Sequence, residues 1–258
     1  MMTKSIRKIA KNAAAFVSLF VLVGCQTAPI TGRNQFIIVS DSQAVQLGAD
    51  AYKQIRAETP VSKDPTMNQT VRDVGRRIAA VSHDPGYDWE FTVFENSDPN
   101  AFALPGGKVG VNTGLFQVAK NENQLAAVMA HEVAHAIARH SAERMSQQIA
   151  IQGGLAVAGA ASETAAQYST ILAQAATLAV VLPFGRNQES EADEIGLMYM
   201  AEAGYDPRAA VELWQNFAAF GGDRPPEFLS THPSPGTRIN RLNALMPKAM
   251  DIYRTHRH

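Results

Sequence analysis

Residues 121–137 read Asn-Glu-Asn-Gln-Leu-Ala-Ala-Val-Met-Ala-His-Glu-Val-Ala-His-Ala-Ile, and the rest of the chain is interpreted around them. Asn121 is a good N-cap, and Glu122 follows it where the helix dipole favours an anion. The pattern predicts a helix that begins at residue 121 and continues to about Met145. Its apolar residues recur at helical spacing along one side: Leu125, Val128, Met129, Val133 and Ile137.

The pentapeptide from His131 to His135 within this helix matches the pattern H-E-x-x-H. Residues four apart share one face of a helix, so both imidazoles can reach one ion. Zinc binds neutral imidazole and keeps an open position in catalytic sites, where Glu132 can take a proton from the water on the metal. Two solvated histidines on a surface helix are the alternative, but they do not explain an apolar, well-capped helix. The motif predicts one zinc ion per chain.

A third protein ligand is needed for a catalytic zinc site. Residues 188–194, in a helix predicted at 187–203, supply several acidic side chains. Such a run is also typical of a solvated helix N-terminus, where acids are favoured by the dipole. The spacing alone therefore leaves the third ligand open.

The H-E-x-x-H motif followed some fifty residues later by E-x-x-x-D resembles the gluzincin zinc peptidases grouped with HtpX, LoiP, BepA and the CAAX prenyl endopeptidases. The resemblance implies that Glu189 is the third ligand and that Asp193, one turn later, supports a ligand histidine. It also implies catalytic roles for Glu132 and Asp193. Glu191 competes as a ligand, but it should point away from Glu189 around the helix.

A small sheet is predicted just before this helix, because Trp89, Phe91 and Val93 alternate and Pro105 opens a Pro-Gly-Gly turn. The segment Asn-Ala-Phe-Ala-Leu-Pro-Gly-Gly at 100–107 is similar to the strand that precedes the active-site helix in the same peptidases. We expect an antiparallel sheet whose edge strand receives substrate as an added strand; an ordinary packed hairpin is the alternative. The residues of that predicted edge are Val109, Gly110, Val111 and Asn112.

His232 lies in a Ser-Thr-His-Pro segment that resembles a late loop of the BepA-like members. The resemblance leaves two roles open. The imidazole could be a fourth zinc ligand that occupies the water position and holds the site latent, or it could help to close the cleft without ligating. His140 is predicted to be incidental, because nine positions from His131 places it on the opposite side of one continuous helix.

The N-terminus reads as an export signal, with four basic residues before an apolar run at 13–23. Leu-Val-Gly-Cys at 22–25 resembles the bacterial lipobox, which implies a lipid on Cys25; a plain secretory signal is the alternative. Gln26, where an aspartate would imply retention, implies sorting to the outer membrane of a Gram-negative bacterium. The predicted organisation is a signal peptide at 1–24, a lipidated N-terminus and tether at 25–40, and a zinc metallopeptidase domain at 41–250.

The remaining chain is mainly helical by pattern, so the fold class is α+β with a gluzincin-type domain. Helices are predicted at 41–56, 65–82, 207–219 and 235–246. The Ala- and Gly-rich residues 149–182 predict two buried or partly mobile helices in preference to a membrane hairpin, because polar side chains interrupt every window of spanning length. A mobile lid is a further interpretation of this segment.

The bulk composition narrows the function. The net charge is −1 over 258 residues, which does not favour nucleic-acid binding, and a single cysteine excludes an internal disulfide. We expect an endopeptidase that cleaves unfolded or misassembled envelope proteins from the periplasmic face of the outer membrane, with assembly machinery as a partner. The alternatives are an assembly or chaperone factor whose zinc is latent or structural, and an inner-membrane peptidase that uses residues 149–182 as a span.

Overall fold

The computed structural model describes residues 25–28, 30–158, 184–220, 227–232 and 235–256. The predicted signal peptide at 1–24, and most of the Ala- and Gly-rich segment, lie outside the described residues. Within them, no helix has the length and apolar character to cross a membrane. The helices are α1 (Asp41–Glu58), α2 (Pro65–Val81), α3 (Glu122–Ile137), α4 (His140–Ala158), α5 (Arg186–Glu202), α6 (Arg208–Phe220), α7 (Glu227–Thr231) and α8 (Pro235–His256).

These helices begin where the sequence offers caps. The Ser40 hydroxyl accepts from the Gln43 amide at the start of α1, and Asp64 caps α2 ahead of a proline in its first turn. Asn121 accepts from the Gln124 amide at 3.0 Å and begins α3, as predicted. The mainly helical α+β prediction is confirmed.

Helix α3 is the centre of the core. Every residue from Gln124 to Ile137 is buried, because α2, α5 and α6 pack around the helix. Helix α5 approaches α3 closely at Gly196, where a Cβ would lie 2.9 Å from the His131 amide nitrogen. A glycine here lets the two helices come together and brings the acids of α5 beside the histidines of α3.

The sheet is mixed, so the prediction of an antiparallel sheet was wrong in part. The three strands are in the order β3–β5–β4; β5 runs antiparallel to β4 but parallel to β3. Gly106 and Gly107, both with positive φ, make the β4–β5 turn tight, whereas residues 95–100 carry the chain past one strand position before β4. Strand β5 fills that gap. The strands are β3 (Glu90–Phe94), β4 (Ala101–Leu104) and β5 (Lys108–Asn112).

The predicted edge strand is therefore the central strand. Residues 108–112 are hydrogen-bonded on both sides, by β3 and by β4, so Val109 to Asn112 cannot accept an added strand. Within the described part of the chain, β4 is paired on one side only. Strand β4 is the edge that lies nearest α3.

The predicted tether at 25–40 is folded against the domain. Strands β1 (Cys25–Thr27) and β2 (Asn34–Phe36) form an antiparallel pair, called here the N-terminal hairpin. Ile37 and Val39, which follow it, are buried against α1 and α4. The alternation of Gln35, Ile37 and Val39 packs these residues inward, and each buried aliphatic side chain contributes roughly 1.5–3 kcal/mol.

Candidate metal centre

Four buried side chains converge between α3, α5 and the residue after α7. His131, His135, Glu189 and His232 each offer one donor atom, and all four atoms lie within 4.8 Å of one another. Helix α3 supplies the two histidines from one face, and the first turn of α5 supplies the glutamate. His232 follows the end of α7 and turns back over them.

These atoms are close enough together to be ligands of a single metal ion. The Nε2 atoms of His131 and His135 lie 3.0 Å apart, and Nδ1 of His232 lies 3.3 Å from Nε2 of His131. The Glu189 oxygens lie 2.9 Å from His232, 3.5 Å from His135 and 3.6 Å from His131. Ligand bonds of about 2.1 Å in a tetrahedron place neighbouring donors about 3.4 Å apart, so the four residues fit zinc.

Glu132 lies beside this cluster. Its side chain is buried, and its Oε1 atom has no hydrogen-bond partner among the described residues, although Nε2 of His232 is 3.4 Å away. Burial raises the pKa of Glu132, with the positive charge of neighbouring groups acting in the other direction. A buried carboxylate oxygen that keeps a free lone pair is suited to accept a proton.

Asp193 and Arg238 support the His131 side of the cluster. The Asp193 Oδ1 atom lies 3.2 Å from Nδ1 of His131, and Nε of Arg238 donates to Asp193 Oδ2 at 2.7 Å. Arg238 also donates from Nη1 to Glu189 Oε2 at 2.6 Å and stacks on Trp214. A carboxylate on the second ring nitrogen orients a ligand histidine and fixes its tautomer.

The pKa values follow from burial and charge. Burial and Arg238 oppose the protonation of His131, but hydrogen bonds to Asp193 and Glu189 outweigh them and raise its pKa to about 9. Burial and the neighbouring His131 lower the pKa of His135 well below its usual value. Burial opposes ionisation of Glu189, yet the surrounding histidines hold its pKa far below the ordinary range.

Phe184 forms one wall of the centre. Its ring stacks on His135 at 3.8 Å between centroids and on His232 at 5.2 Å, and the guanidinium of Arg144 covers it at 3.7 Å. Its backbone amide donates to the Thr231 carbonyl at 3.0 Å. The aromatic wall restricts the two imidazoles to a narrow range of orientations.

A cleft of about 160 Å³ opens onto the centre from β4. Glu132 and His232 are among the residues that line it, and so are all four residues of β4. The Oδ1 atom of Asn100, the residue before β4, is buried without a hydrogen-bond partner in the described structure. Of the predicted substrate strand, only Asn112 lines the cleft.

The predicted site residues His131, Glu132, His135, Glu189, Asp193 and His232 are thus brought together, and Glu191 points away from the centre as expected. His140 is not incidental, however. Helix α3 ends at Ile137, Arg139 adopts a φ of 58°, and a new helix begins at His140, which turns its ring back onto His135. The continuous helix to Met145 was therefore wrong, and no local sequence signal marks an arginine for this left-handed conformation.

Arg238 is the other functional residue that the sequence interpretation gave no role. It lies six positions beyond His232, in helix α8, and no spacing rule connects it to Asp193. Cys25, the predicted lipidation site, is the first described residue, in β1. The predicted segment 149–182 is described only as far as Ala158, the end of α4.

Two histidines from one helix, a glutamate from a second and the buried carboxylate of Glu132 beside them define a metallopeptidase. The chain belongs to peptidase family M48, whose family model matches residues 65–246. Zinc is the metal that these peptidases use.

Relatives agree with this assignment. The mitochondrial metalloendopeptidase OMA1 of Schizosaccharomyces pombe is 40% identical over 226 residues, which cover 86% of this chain and 66% of that protein. The OMA1 protein of Saccharomyces cerevisiae is 32% identical over 98% of this chain and 78% of its own length. The β-barrel assembly-enhancing protease of Escherichia coli is 30% identical over 93% of this chain, which spans only 54% of that relative.

Proposed function

We propose that this chain is a zinc-dependent endopeptidase in which His131, His135 and Glu189 hold the metal and Glu132 is the general base. The observation that carries the proposal is the close spacing of the four buried donors beside Oε1 of Glu132, which has no hydrogen-bond partner among the described residues. When bound, zinc would lower the pKa of a water molecule and polarise the scissile carbonyl. Glu132 would accept the proton from that water and deliver it to the leaving nitrogen.

The proposed substrate site is the edge of β4. An extended peptide added to this edge would run along the cleft toward Glu132 and be held by main-chain hydrogen bonds. The Oδ1 atom of Asn100, which has no hydrogen-bond partner among the residues that the structure describes, would accept from a substrate amide. Such recognition tolerates many side-chain sequences and therefore suits unfolded or misassembled proteins.

His232 is proposed to keep the centre latent. Its Nδ1 atom is 2.9 Å from Glu189 Oε1 and 3.3 Å from Nε2 of His131, so the imidazole fills the corner that water needs. Displacement of this one side chain would open the fourth position.

The proposed place of work is the periplasmic face of the outer membrane, with the domain anchored by a lipid on Cys25. The lipobox-like sequence and Gln26 support this location, and the name of the E. coli relative supports envelope proteins and their assembly machinery as substrates and partners. The yeast relatives are mitochondrial by name. Fractionation of cells that carry the wild type or Gln26→Asp tests the sorting: only the variant should remain at the inner membrane.

An assembly factor with a structural zinc remains the second candidate, favoured by a centre that already has four protein donors. Casein cleavage by His232→Ala and by the double variant His232→Ala/Glu132→Gln separates the two, because the proposed latency slows the wild type. The peptidase proposal expects both proteins to bind zinc and the double variant to lose about 10²–10⁴ in rate. Equal cleavage by the two proteins would contradict it, and His232→Ala, expected to be faster than the wild type, tests the latency.

A further inference from the structure

The polar surroundings of His135 extend much further than the zinc ligands. On the side of the ring away from the metal donors, its Nδ1 atom lies 2.8 Å from Nδ1 of His140. The His140 side chain is fully buried. Ligand histidines usually place this second nitrogen against a carboxylate or a carbonyl, so an imidazole partner requires an explanation.

His140 leads to the N-terminal hairpin through one carboxylate. Its Nε2 atom is 3.0 Å from Glu191 Oε2, and Arg33, in the hairpin next to β2, donates from Nε to the same oxygen at 2.5 Å. Thr31 donates to the other oxygen of Glu191. Arg33 also donates two parallel hydrogen bonds to Glu143 of α4, at 2.9 and 2.7 Å. The hairpin is thus connected to a zinc ligand by three successive contacts.

The chemistry of these groups fixes the direction of every hydrogen bond. An ionised carboxylate only accepts, so His140 must carry its proton on Nε2 and donate to Glu191. A neutral imidazole carries one proton, so with that proton on Nε2 the Nδ1 atom of His140 is an acceptor. His135 must then donate from Nδ1, which leaves the lone pair of its Nε2 directed at the metal.

We propose that Arg33, Glu191 and His140 are positioning residues that impose the metal-binding tautomer on His135, and that the N-terminal hairpin is therefore part of the metal centre. The inference rests on the proposed zinc site and adds a residue set to it. Arg33 holds the Glu191 carboxylate in place and keeps its oxygen an acceptor. His140 lies between α5 and α3, where it donates to Glu191 and accepts from His135.

The series of contacts from Arg33 through Glu191 and His140 to His135 is called here the relay. His140→Gln and His140→Leu form the matched pair that tests it. A glutamine oxygen can accept from His135 Nδ1 while its amide donates to Glu191, so both bonds keep their direction, whereas leucine removes both. With the full chain and chelator competition, we expect His140→Leu to bind zinc about 10–100-fold more weakly than wild type, as loss of an outer partner of a ligand does. His140→Gln should stay close to wild type.

Unfolding of the metal-free proteins, followed in parallel, separates positioning from stability. A purely structural role would weaken both variants together in zinc binding and in stability, and that result would overturn the proposal. Unchanged zinc affinity in His140→Leu would overturn it as well. A wild type that binds no zinc would instead contradict the proposed function.

The far end of the relay is tested with Arg33→Met. We expect a smaller loss of zinc affinity in the same direction, because Glu191 then lacks the charge that orients it. Arg241→Met is the control. Arg241 of α8 lies 3.3 Å from Glu194, an exposed acid of α5, the helix that also carries Glu191. Equal zinc affinity for Arg33→Met and Arg241→Met would remove the hairpin from the centre.

The tautomers are observable directly. In the zinc-loaded protein with ¹⁵N-labelled histidine, NMR should show a proton on Nδ1 of His135 and on Nε2 of His140. A proton on Nδ1 of His140 would reverse the relay and contradict the proposal.

Discussion

The two histidines of the H-E-x-x-H motif are four residues apart and look equivalent in the sequence, yet their surroundings differ. His131 is in direct contact with charged groups. Asp193 lies 3.2 Å away, and Arg238 lies between the carboxylates of Asp193 and Glu189. On its Nδ1 side, His135 contacts the imidazole of His140, and the carboxylate of Glu191 lies beyond that ring. One ligand is thus supported by α5 and α8, and the other by α4 and the N-terminal hairpin.

This difference shows why the metal centre depends on segments far apart in the chain. A buried histidine close to a carboxylate is oriented but is also easily protonated, as the raised pKa of His131 shows. A neutral partner orients His135 without favouring a proton on the metal-binding nitrogen. We therefore expect substitutions near His131 and near His135 to differ in their effects on unfolding free energy and on zinc affinity.

The surroundings of His131, with Asp193 and Arg238, are called here the charged side. A substitution there should have the largest effect on stability. Arg238→Met leaves Glu189 and Asp193 buried near each other without their shared cation, so we expect the metal-free protein to lose about 3–5 kcal/mol of unfolding free energy. Saturating zinc should restore part of this loss by binding only the folded state. Denaturant titration with and without zinc measures both quantities.

The exposed pair of Arg241 and Glu194 provides the control for that experiment. Arg241→Met should change the unfolding free energy by less than about 1 kcal/mol, because solvent screens the pair. If metal-free Arg238→Met were no less stable than Arg241→Met, the charged side would not have the role assigned to it.

A change at the helix contact should disturb both sides together. In Gly196→Ala the new Cβ would lie 2.9–3.0 Å from the backbone of Ala130 and His131, so α5 must move from α3, at a cost of about 1–3 kcal/mol. Zinc affinity should fall as well. Gly236→Ala is the control and should be neutral or slightly stabilising, because among the described residues no atom beyond its own stretch of helix lies within 4 Å of the added carbon. Wild-type zinc affinity in Gly196→Ala would show that the helix spacing is not critical.

The surroundings of His135, with His140, Glu191 and Arg33, are called here the hairpin side. A substitution there should have the smallest effect, which is seen in the unfolding free energy at low pH. Burial opposes ionisation of Glu191, but hydrogen bonds from His140, Thr31 and Arg33 lower its pKa from 4.5 to about 2. A lowered carboxylate pKa stabilises the fold fully above the unfolded value of 4.5, and this contribution is lost as the pH falls toward 2. Because Arg33 is partly exposed and solvent screens its charge, we expect about 1–2 kcal/mol.

Glu191→Gln isolates that contribution. The difference in unfolding free energy between wild type and Glu191→Gln should be largest above pH 4.5 and shrink below it. A difference that stayed constant between pH 6 and pH 2 would mean that the ionised carboxylate does not stabilise the hairpin side.

The sequence predicted most of what lies within single elements. Caps, helical spacing and H-E-x-x-H are local, so helix starts and the positions of His131, Glu132 and His135 follow from them. The roles of Glu189 and Asp193 needed the family resemblance, because a run of acids at a helix start has two readings.

The missed features depend on contacts between distant segments. The strand order places β5 in the middle because of how residues 95–100 cross the sheet, which no alternation pattern encodes. His140 reaches His135 only because the helix breaks at Arg139, and Arg33 reaches Glu191 across 158 positions of sequence. Their side chains give no periodic signal that could have indicated these partners.

Anomalous diffraction at the zinc edge from crystals of the wild-type chain tests the central claim most directly. We predict one peak, about 2.1 Å from Nε2 of His131, Nε2 of His135 and an oxygen of Glu189. A peak elsewhere, or one at the two histidines with Glu189 beyond bonding distance, would contradict the account.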